Sequence, residues 1–563
     1  MARIQCTASR CFAPAHFSFC LFSLFIIFSF TGCSKRETPK PGGTVIIGAT
    51  GDFDSFNELN AADSDALQII QYMLFMSLTT LDENLQFAPQ LAASWEFAPG
   101  DTLLTFKLRQ DVFWTDGVPT TAHDVLFTYQ LAIDTTVAYP ASSRFDQTRQ
   151  VEVVDDHTIR FHFKQPYPDA LFDTQMPVLP KHVLEKIPRE KIAACEFNRK
   201  PVGNGPFKLA EWHASQRIVF EANPQYAWGR PKLDRVVFQI IPDETVLVTN
   251  LLTGKVDVVS SLSPLAFKQI ERRAKGEGRR AKSGGRIDGA FAETDSSFFL
   301  QTIRYPGRNY SFIAWNNARP LLTPRVRQAL THAIDKQEII NTLLEGFAQP
   351  AIGPLLSFNW AYDRNLRDLP FDPATAKNLL QQEGWRDSNS DGILDRQGKK
   401  LELTLKTNAD NQLRRDIAVM VQAQLKKIGV QAKIEAVEWN LLLQQVFEGR
   451  DFDGFISAWD ADFAVNPTPL WHSAAIANGY NLVSYRRARV DSLLERARAL
   501  ADRRLAQPLW NEFQQLIVED CPYTFLFTQE RLAAAHHRVQ GVKMDVRGWL
   551  VNVHKWEIAA RAK

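Results

Sequence analysis

Between residues 401 and 436 the chain carries a pattern that few architectures can absorb. Leu401, Leu403 and Leu405 alternate with polar residues as a strand does. Leu413, Ile417, Met420, Val421, Leu425 and Ile428 then form one helical stripe ended by Gly429, and Val430, Ala432, Ile434 and Ala436 alternate again. Strand, helix, strand with one-sided apolar faces implies a right-handed crossover and a layered α/β fold. The chain has 563 residues, too many for one core, so two to four domains are expected. Its 45% of apolar residues and thirteen Trp can fill large cores and still line a cleft with rings.

A second unit runs from Leu91 to Tyr129. Leu104, Phe106 and Leu108 alternate with Thr105, Lys107 and Arg109 as a strand buried on one face, and Asp116-Gly117 supplies a turn. Thr121 stands three residues before Asp124, the spacing of a capping box, so a helix is expected from there through Val125, Leu126 and Tyr129. Further on, Val326, Ala329, Leu330, Ala333 and Ile334 share one helix face. Leu67 to Leu78 reads as a packed helix with Met73 and Met76 in the core, and Gly203 and Gly205 suit a reversal that needs positive φ. His162 reads as a solvent-facing strand residue and His332 as a local hydrogen-bonding one.

Several of these segments, taken together, resemble the bacterial extracellular solute-binding proteins of family 5, the oligopeptide- and dipeptide-binding class that feeds ABC importers. The matching pieces are Leu91-Ala92-x-Ser94-Trp95-Glu96, Phe106-x-Leu108-Arg109, Trp114-x-Asp116-Gly117-x-Pro119-x-Thr121-Ala122-x-Asp124-Val125 and Pro201-Val202-Gly203-Asn204-Gly205-Pro206-Phe207. The likeness extends from Gly42 almost to the end of the chain. It implies a type II periplasmic-binding-protein fold, two α/β lobes closing over a cleft with an extra inserted domain. On that basis residues 42–78, 203–299 and 525–563 are expected to form lobe I, 79–202 the inserted domain and 300–524 lobe II. The implied function is delivery of a small solute, most simply a peptide, to a membrane permease by a monomer without enzymatic activity. Nickel chelates, sugars and opines remain open as ligands because the same architecture serves them, and a non-transport enzyme or chaperone-like derivative is the alternative from another class.

Residues 1–32 differ from the rest. Arg3 and Arg10 precede the apolar run Phe17 to Phe30, fourteen residues and so too short to span a membrane as a helix. Phe30-Thr31-Gly32-Cys33 resembles a lipoprotein signal, which would leave Cys33 as the lipidated N-terminus of a protein anchored at a bacterial membrane facing the periplasm; the alternative is a plain secretory signal cut nearby. Inner or outer membrane is left open. Removing the segment takes away two arginines and no acid, so the formal charge falls from +2 to 0 and no overall field attracts nucleic acid. The basic stretch Arg272 to Arg286 has four glycines and no aromatic residue, and reads as a solvated loop. With the signal gone, Cys195 and Cys521 remain besides Cys33, and their spacing allows a bridge or two free thiols.

No Gly-x-Ser-x-Gly, His-Glu-x-x-His, P-loop or Cys-x-x-Cys occurs, which disfavours the common catalytic classes. Asp387-x-Asn389-x-Asp391-Gly392-x-x-Asp395 has the oxygen spacing of a calcium loop, but Gly398 stands where the bidentate Glu belongs. An Asx-rich turn is the reading adopted, and no metal or cofactor is expected. In the peptide binders that this chain resembles, the aspartate of the Trp-x-Ala-Asp motif pairs with the ligand's α-ammonium. Carried onto this sequence, that assigns Asp462 to the ligand and Trp459 to a side-chain pocket.

Overall fold

The computed structural model describes residues 42–275 and 300–559. Cys33, the signal segment and most of the basic stretch 272–286 lie outside the described residues. The chain opens with strand β1 (Thr44–Ala49) and helix α1 (Ser64–Ile69), which passes directly into a π turn at Ile70–Leu74. The helix expected over 67–78 therefore ends early, although Met73 and Met76 are fully buried as expected. Next comes an antiparallel sheet in the order β2–β3–β5–β4, built from β2 (Ala92–Phe97), β3 (Leu103–Leu108), β4 (Thr148–Asp155) and β5 (Thr158–Phe163). Helix α2 (Ala122–Ala132) lies between β3 and β4 and starts at the expected cap, with Asp124 Oδ2 accepting the Thr121 N–H at 2.8 Å. The other oxygen of Asp124 accepts the Lys181 N–H at 2.9 Å, so the cap also holds a distant segment. After the short helix α3 (Ala170–Asp173) the chain returns to the first sheet as β6 (Phe207–His213), β7 (Arg217–Ala222) and β8 (Arg235–Ile240).

Helices α4 (Glu244–Leu252) and α5 (Pro264–Ala274) flank β9 (Val258–Val259); β10 (Leu300–Pro306), β11 (Asn309–Trp315), helix α6 (Pro324–His332) and β12 (Ala348–Pro350) follow. The crossover unit read at 401–436 is present as β13 (Glu402–Asn408), α7 (Gln412–Lys426) and β14 (Gln431–Val437), its two strands parallel and in register. Strand β15 (Gly454–Asp460), helices α8 (Ala488–Arg498) and α9 (Arg503–Asp520) and the fourteen-residue strand β16 (Tyr523–His536) complete the frame. Twelve strands among the described residues share one mixed sheet, ordered β14–β13–β15–β11–β16–β9–β1–β8–β7–β6, with β10 and β12 also paired to β16.

Side-chain alternation explains why both faces of this sheet are covered. Ile313 and Trp315 of β11 pack with the buried face of α6 and with α7, whereas Tyr310, Phe312 and Ala314 pack on the opposite face with Trp510 and Phe513 of α9. The same division holds in the other half, where Val45 and Ile47 face one cluster and Ile46 the other. Residue 300 opens a strand that still pairs with the 530–536 part of β16, in the first half, and Phe525 and Phe527 still pair with β11 in the second. Along β16 the pairing switches between β10 and β11 around Gly307–Arg308 and between Phe527 and Glu530.

The readings of Gly203, Gly205 and His162 need correction, and those of His332 and the 387–395 loop do not. Gly203 and Gly205 do not adopt positive φ. They are needed for close approach, since a Cβ on Gly203 would sit 2.1 Å from the Leu74 carbonyl oxygen and one on Gly205 2.5 Å from that of Met73. His162 is half-buried and meets Glu152 at 3.2 Å. His332 Nδ1 lies 2.7 Å from the Pro370 carbonyl, the local contact expected. Cys195 and Cys521 are free thiols. In the 387–395 loop Asp387 accepts the N–H groups of Asp391 and Gly392, and Lys400 Nζ meets Asp391 at 2.6 Å, which is the Asx-rich turn.

Candidate ligand-binding cleft

A cavity of about 940 Å³ opens between the two halves of the molecule. One wall comes from three separate stretches: Glu58 to Gln71, Tyr139 to Gln147 and Asp169 to Pro177. The opposite wall is the loop that leaves β15, Asp460 to Gly479, with Arg308, Tyr310 and Asn359 beside it and Arg498 of α8. The β15 loop is fixed by its own polar contacts. Asn359 Nδ2 donates to the Asp462 carbonyl at 2.8 Å, the Ala461 N–H donates to the Arg308 carbonyl at 2.7 Å, and the Arg308 guanidinium stacks 5.1 Å above the Phe463 ring.

Asp462 lines the cavity with its side chain exposed, and its Oδ1 accepts only the neighbouring Phe463 N–H at 2.7 Å. No basic nitrogen lies within 4 Å of it among the described residues. Trp459 is not among the lining residues. Its indole packs parallel to Phe312, with centroids 6.1 Å apart, and its N–H donates to the Tyr523 hydroxyl at 3.3 Å, so it buttresses the strand behind the loop.

Other functional candidates were not legible in sequence. The Tyr139 hydroxyl donates to Glu58 at 3.0 Å, and burial pushes the Glu58 carboxyl up. Arg144 Nη2 donates to the Phe172 carbonyl at 2.9 Å. Burial and then the neighbouring Asp173 push Asp169 up to about 7. Burial pushes Asp173 up to about 6, against the opposing pull of Tyr167, Arg144 and Arg498. The Val465 N–H reaches Asp169 Oδ1 at 3.4 Å across the cleft. These residues converge from positions 58 to 498, and no local spacing announces them.

Five lining residues place a buried polar atom where no described residue pairs with it: Gln68 Oε1, Arg144 Nε, Gln175 Nε2, the Tyr310 hydroxyl and Thr468 Oγ1. Buried polar atoms are costly when unpaired, so a cleft rich in them is built for a polar ligand. They include donors, an acceptor and two hydroxyls able to act as either. Among the described residues no group of three or more His, Cys, Asp or Glu could hold a metal ion.

Residues 86–481 match the family model of the bacterial extracellular solute-binding proteins, family 5 Middle. The chain belongs to this family. As a family 5 member it is a solute-binding protein, and the family is not one of enzymes. It is 34% identical over 538 residues to the oligopeptide-binding protein AppA of Bacillus subtilis, covering 93% of this chain and 94% of that one. The solved structure of B. subtilis AppA in complex with a nonapeptide superposes with a TM-score of 0.72 at 32% identity, over 93% of this chain and all of that one. NikZ of Campylobacter jejuni, solved with Ni(L-His), has a TM-score of 0.72 at 25% identity, over 92% of this chain and all of that one. The family 5 fold thus accounts for nearly the whole chain, including the mixed α/β sheet that carries the cleft. Among the described residues no helix is long and apolar enough to cross a membrane.

Proposed function

We propose that this family 5 protein binds a short peptide between its two lobes and hands it to the permease of an ABC importer. The observation that carries the reading is the set of five unpaired buried polar atoms around one cavity. A peptide backbone repeats donor and acceptor along its length, as that set demands. A volume of about 940 Å³ is near the top of the range of roughly 300 to 1,000 Å³ for small-molecule sites, room for more than a single amino acid. The peptide ligand of B. subtilis AppA supports the same choice. In this reading Asp462 receives the peptide's α-ammonium, and Trp459 acts from behind by holding the β15 loop in place.

Losing one partner of a desolvated charge pair costs about 2 to 5 kcal/mol, so Asp462→Asn should weaken peptide binding by roughly thirtyfold or more with the fold intact. N-acetylating the peptide removes the other partner, and in titration calorimetry the two changes should be far from additive. Additive losses would exclude the contact. Cys33, in the same proposal, carries the lipid that keeps the protein at a bacterial membrane, because two acyl chains suffice for stable attachment. Cys33→Ser should then appear in the soluble periplasmic fraction; retention in a salt-washed membrane pellet would place the anchor elsewhere.

A further inference from the structure

We propose that Asp169 and Asp173 form an anionic subsite of the cleft that receives a basic side chain of the bound peptide, lysine or arginine, so that the protein prefers cationic peptides. This rests on the peptide reading above and adds to it the class of peptide. Asp169 immediately precedes α3 and Asp173 is its last residue, which brings both carboxylates to one wall of the cavity. Asp169 is 3% exposed and accepts a single long hydrogen bond, from the Val465 N–H. Neither carboxylate has a Lys, Arg or His nitrogen within 4 Å among the described residues. A buried carboxylate without an ion partner is costly, and a cation supplied by the ligand relieves that cost.

The arginines nearby are engaged elsewhere or stand off. Arg144 donates to the Phe172 carbonyl, and the Arg503 guanidinium lies over the Trp360 ring at 5.0 Å. Arg498 lines the cavity and acts on both carboxylates only through its field. Tyr167 provides an independent observation. It is 5% exposed, its hydroxyl has no partner in hydrogen-bond geometry, and it faces Asp173. A lysine ammonium has three donors and a guanidinium five, enough to serve both carboxylates together while Tyr167 stays behind Asp173, outside the cavity lining. The charged and titratable groups facing Asp169 are Asp173, Arg498, Arg503 and Tyr167; those facing Asp173 are Asp169, Tyr167, Arg144, Arg498 and Asp462. Burial keeps both carboxyls protonated further up the pH scale than usual, so a cation seated between them expels protons near neutrality.

The test uses the full-length protein and a pool of random pentapeptides, with retained peptides identified by mass spectrometry after unbound material is removed. Lysine and arginine should be enriched about tenfold over leucine at one peptide position. The Asp169→Asn, Asp173→Asn double variant should still retain peptides but lose that enrichment. In the unaltered protein the enrichment should shrink from pH 8 to pH 5, where both carboxyls are protonated, which keeps the proposal open to refutation even if the double variant misfolds. Recovery of no peptide at all would overturn the peptide reading itself. Recovery without basic enrichment, or with enrichment that survives the double substitution or the shift to pH 5, would overturn the subsite and leave the peptide reading standing.

Discussion

Asp462 and Asp169 both line the cleft, yet only one of them could be found without coordinates. Asp462 sits in a short motif, Trp459-x-Ala461-Asp462, and motif resemblance is enough to single it out. Asp169 and Asp173 are ordinary letters in Tyr167-Pro168-Asp169-Ala170-Leu171-Phe172-Asp173, and what distinguishes Asp169 is burial against a residue nearly three hundred positions away. The same applies to Tyr310, which in sequence is just a strand residue and in the fold turns an unpaired hydroxyl to the cleft wall. The buried pair also has a consequence for stability. Folded, Asp169 keeps its proton up to about 7 and Asp173 up to about 6, against an ordinary value of 3.8. Between those limits the folded state binds more protons than the unfolded one, so the contribution of these two groups to stability falls as pH rises. Thermal melts of the unliganded protein should show that slope between 3.8 and about 7, and replacing both residues with Asn should flatten it. An unchanged slope in the double variant would mean that other groups cause it.

Elements with a strict period or a cap were legible, and those shaped by a neighbour were not. The crossover β13–α7–β14 and the cap at Thr121 follow from local pattern alone, because apolar spacing and one carboxylate decide them. The helix expected at 67–78 becomes α1, a π turn and an extended segment because Gly203 and Gly205 come close enough to touch its backbone. The Asn204 and Gly205 N–H groups both donate to the Leu74 carbonyl, at 3.0 and 2.8 Å, which is how that helix end is satisfied. Sequence identified the two glycines but not the reason for them. Gly203→Ala would drive a methyl group into that carbonyl, and overpacking of this kind typically costs about 1 to 3 kcal/mol. Denaturant unfolding should register the loss as a lower midpoint with an unchanged slope. If the variant is as stable as the parent, the backbone contact is softer than the distances imply.

At the scale of the whole molecule the two halves are joined where Gly307 meets β16, its N–H donating to the Gln529 carbonyl at 3.1 Å. A Cβ at 307 would lie 2.4 Å from that same oxygen, so these side-by-side crossings leave no room for a side chain. In the proposed closure the lobes would pivot there, since the side-chain clusters on either side of the crossing are separate although one sheet runs through both. Small-angle scattering should show a smaller radius of gyration with saturating peptide than without, and a bulky Gly307→Val variant should lose that difference before it loses its fold. No change in the unaltered protein would argue for a cleft that binds without closing. Strand β16 also imposes an order on how the molecule is made. It pairs with β9, β10, β11 and β12, all of which emerge earlier from the ribosome. Neither half of the large sheet can close until this late segment is available, so a nascent chain stays unfinished and open almost to its last forty residues. In the exported protein proposed above, that delay would keep the chain in the unfolded condition that threading through a translocon requires.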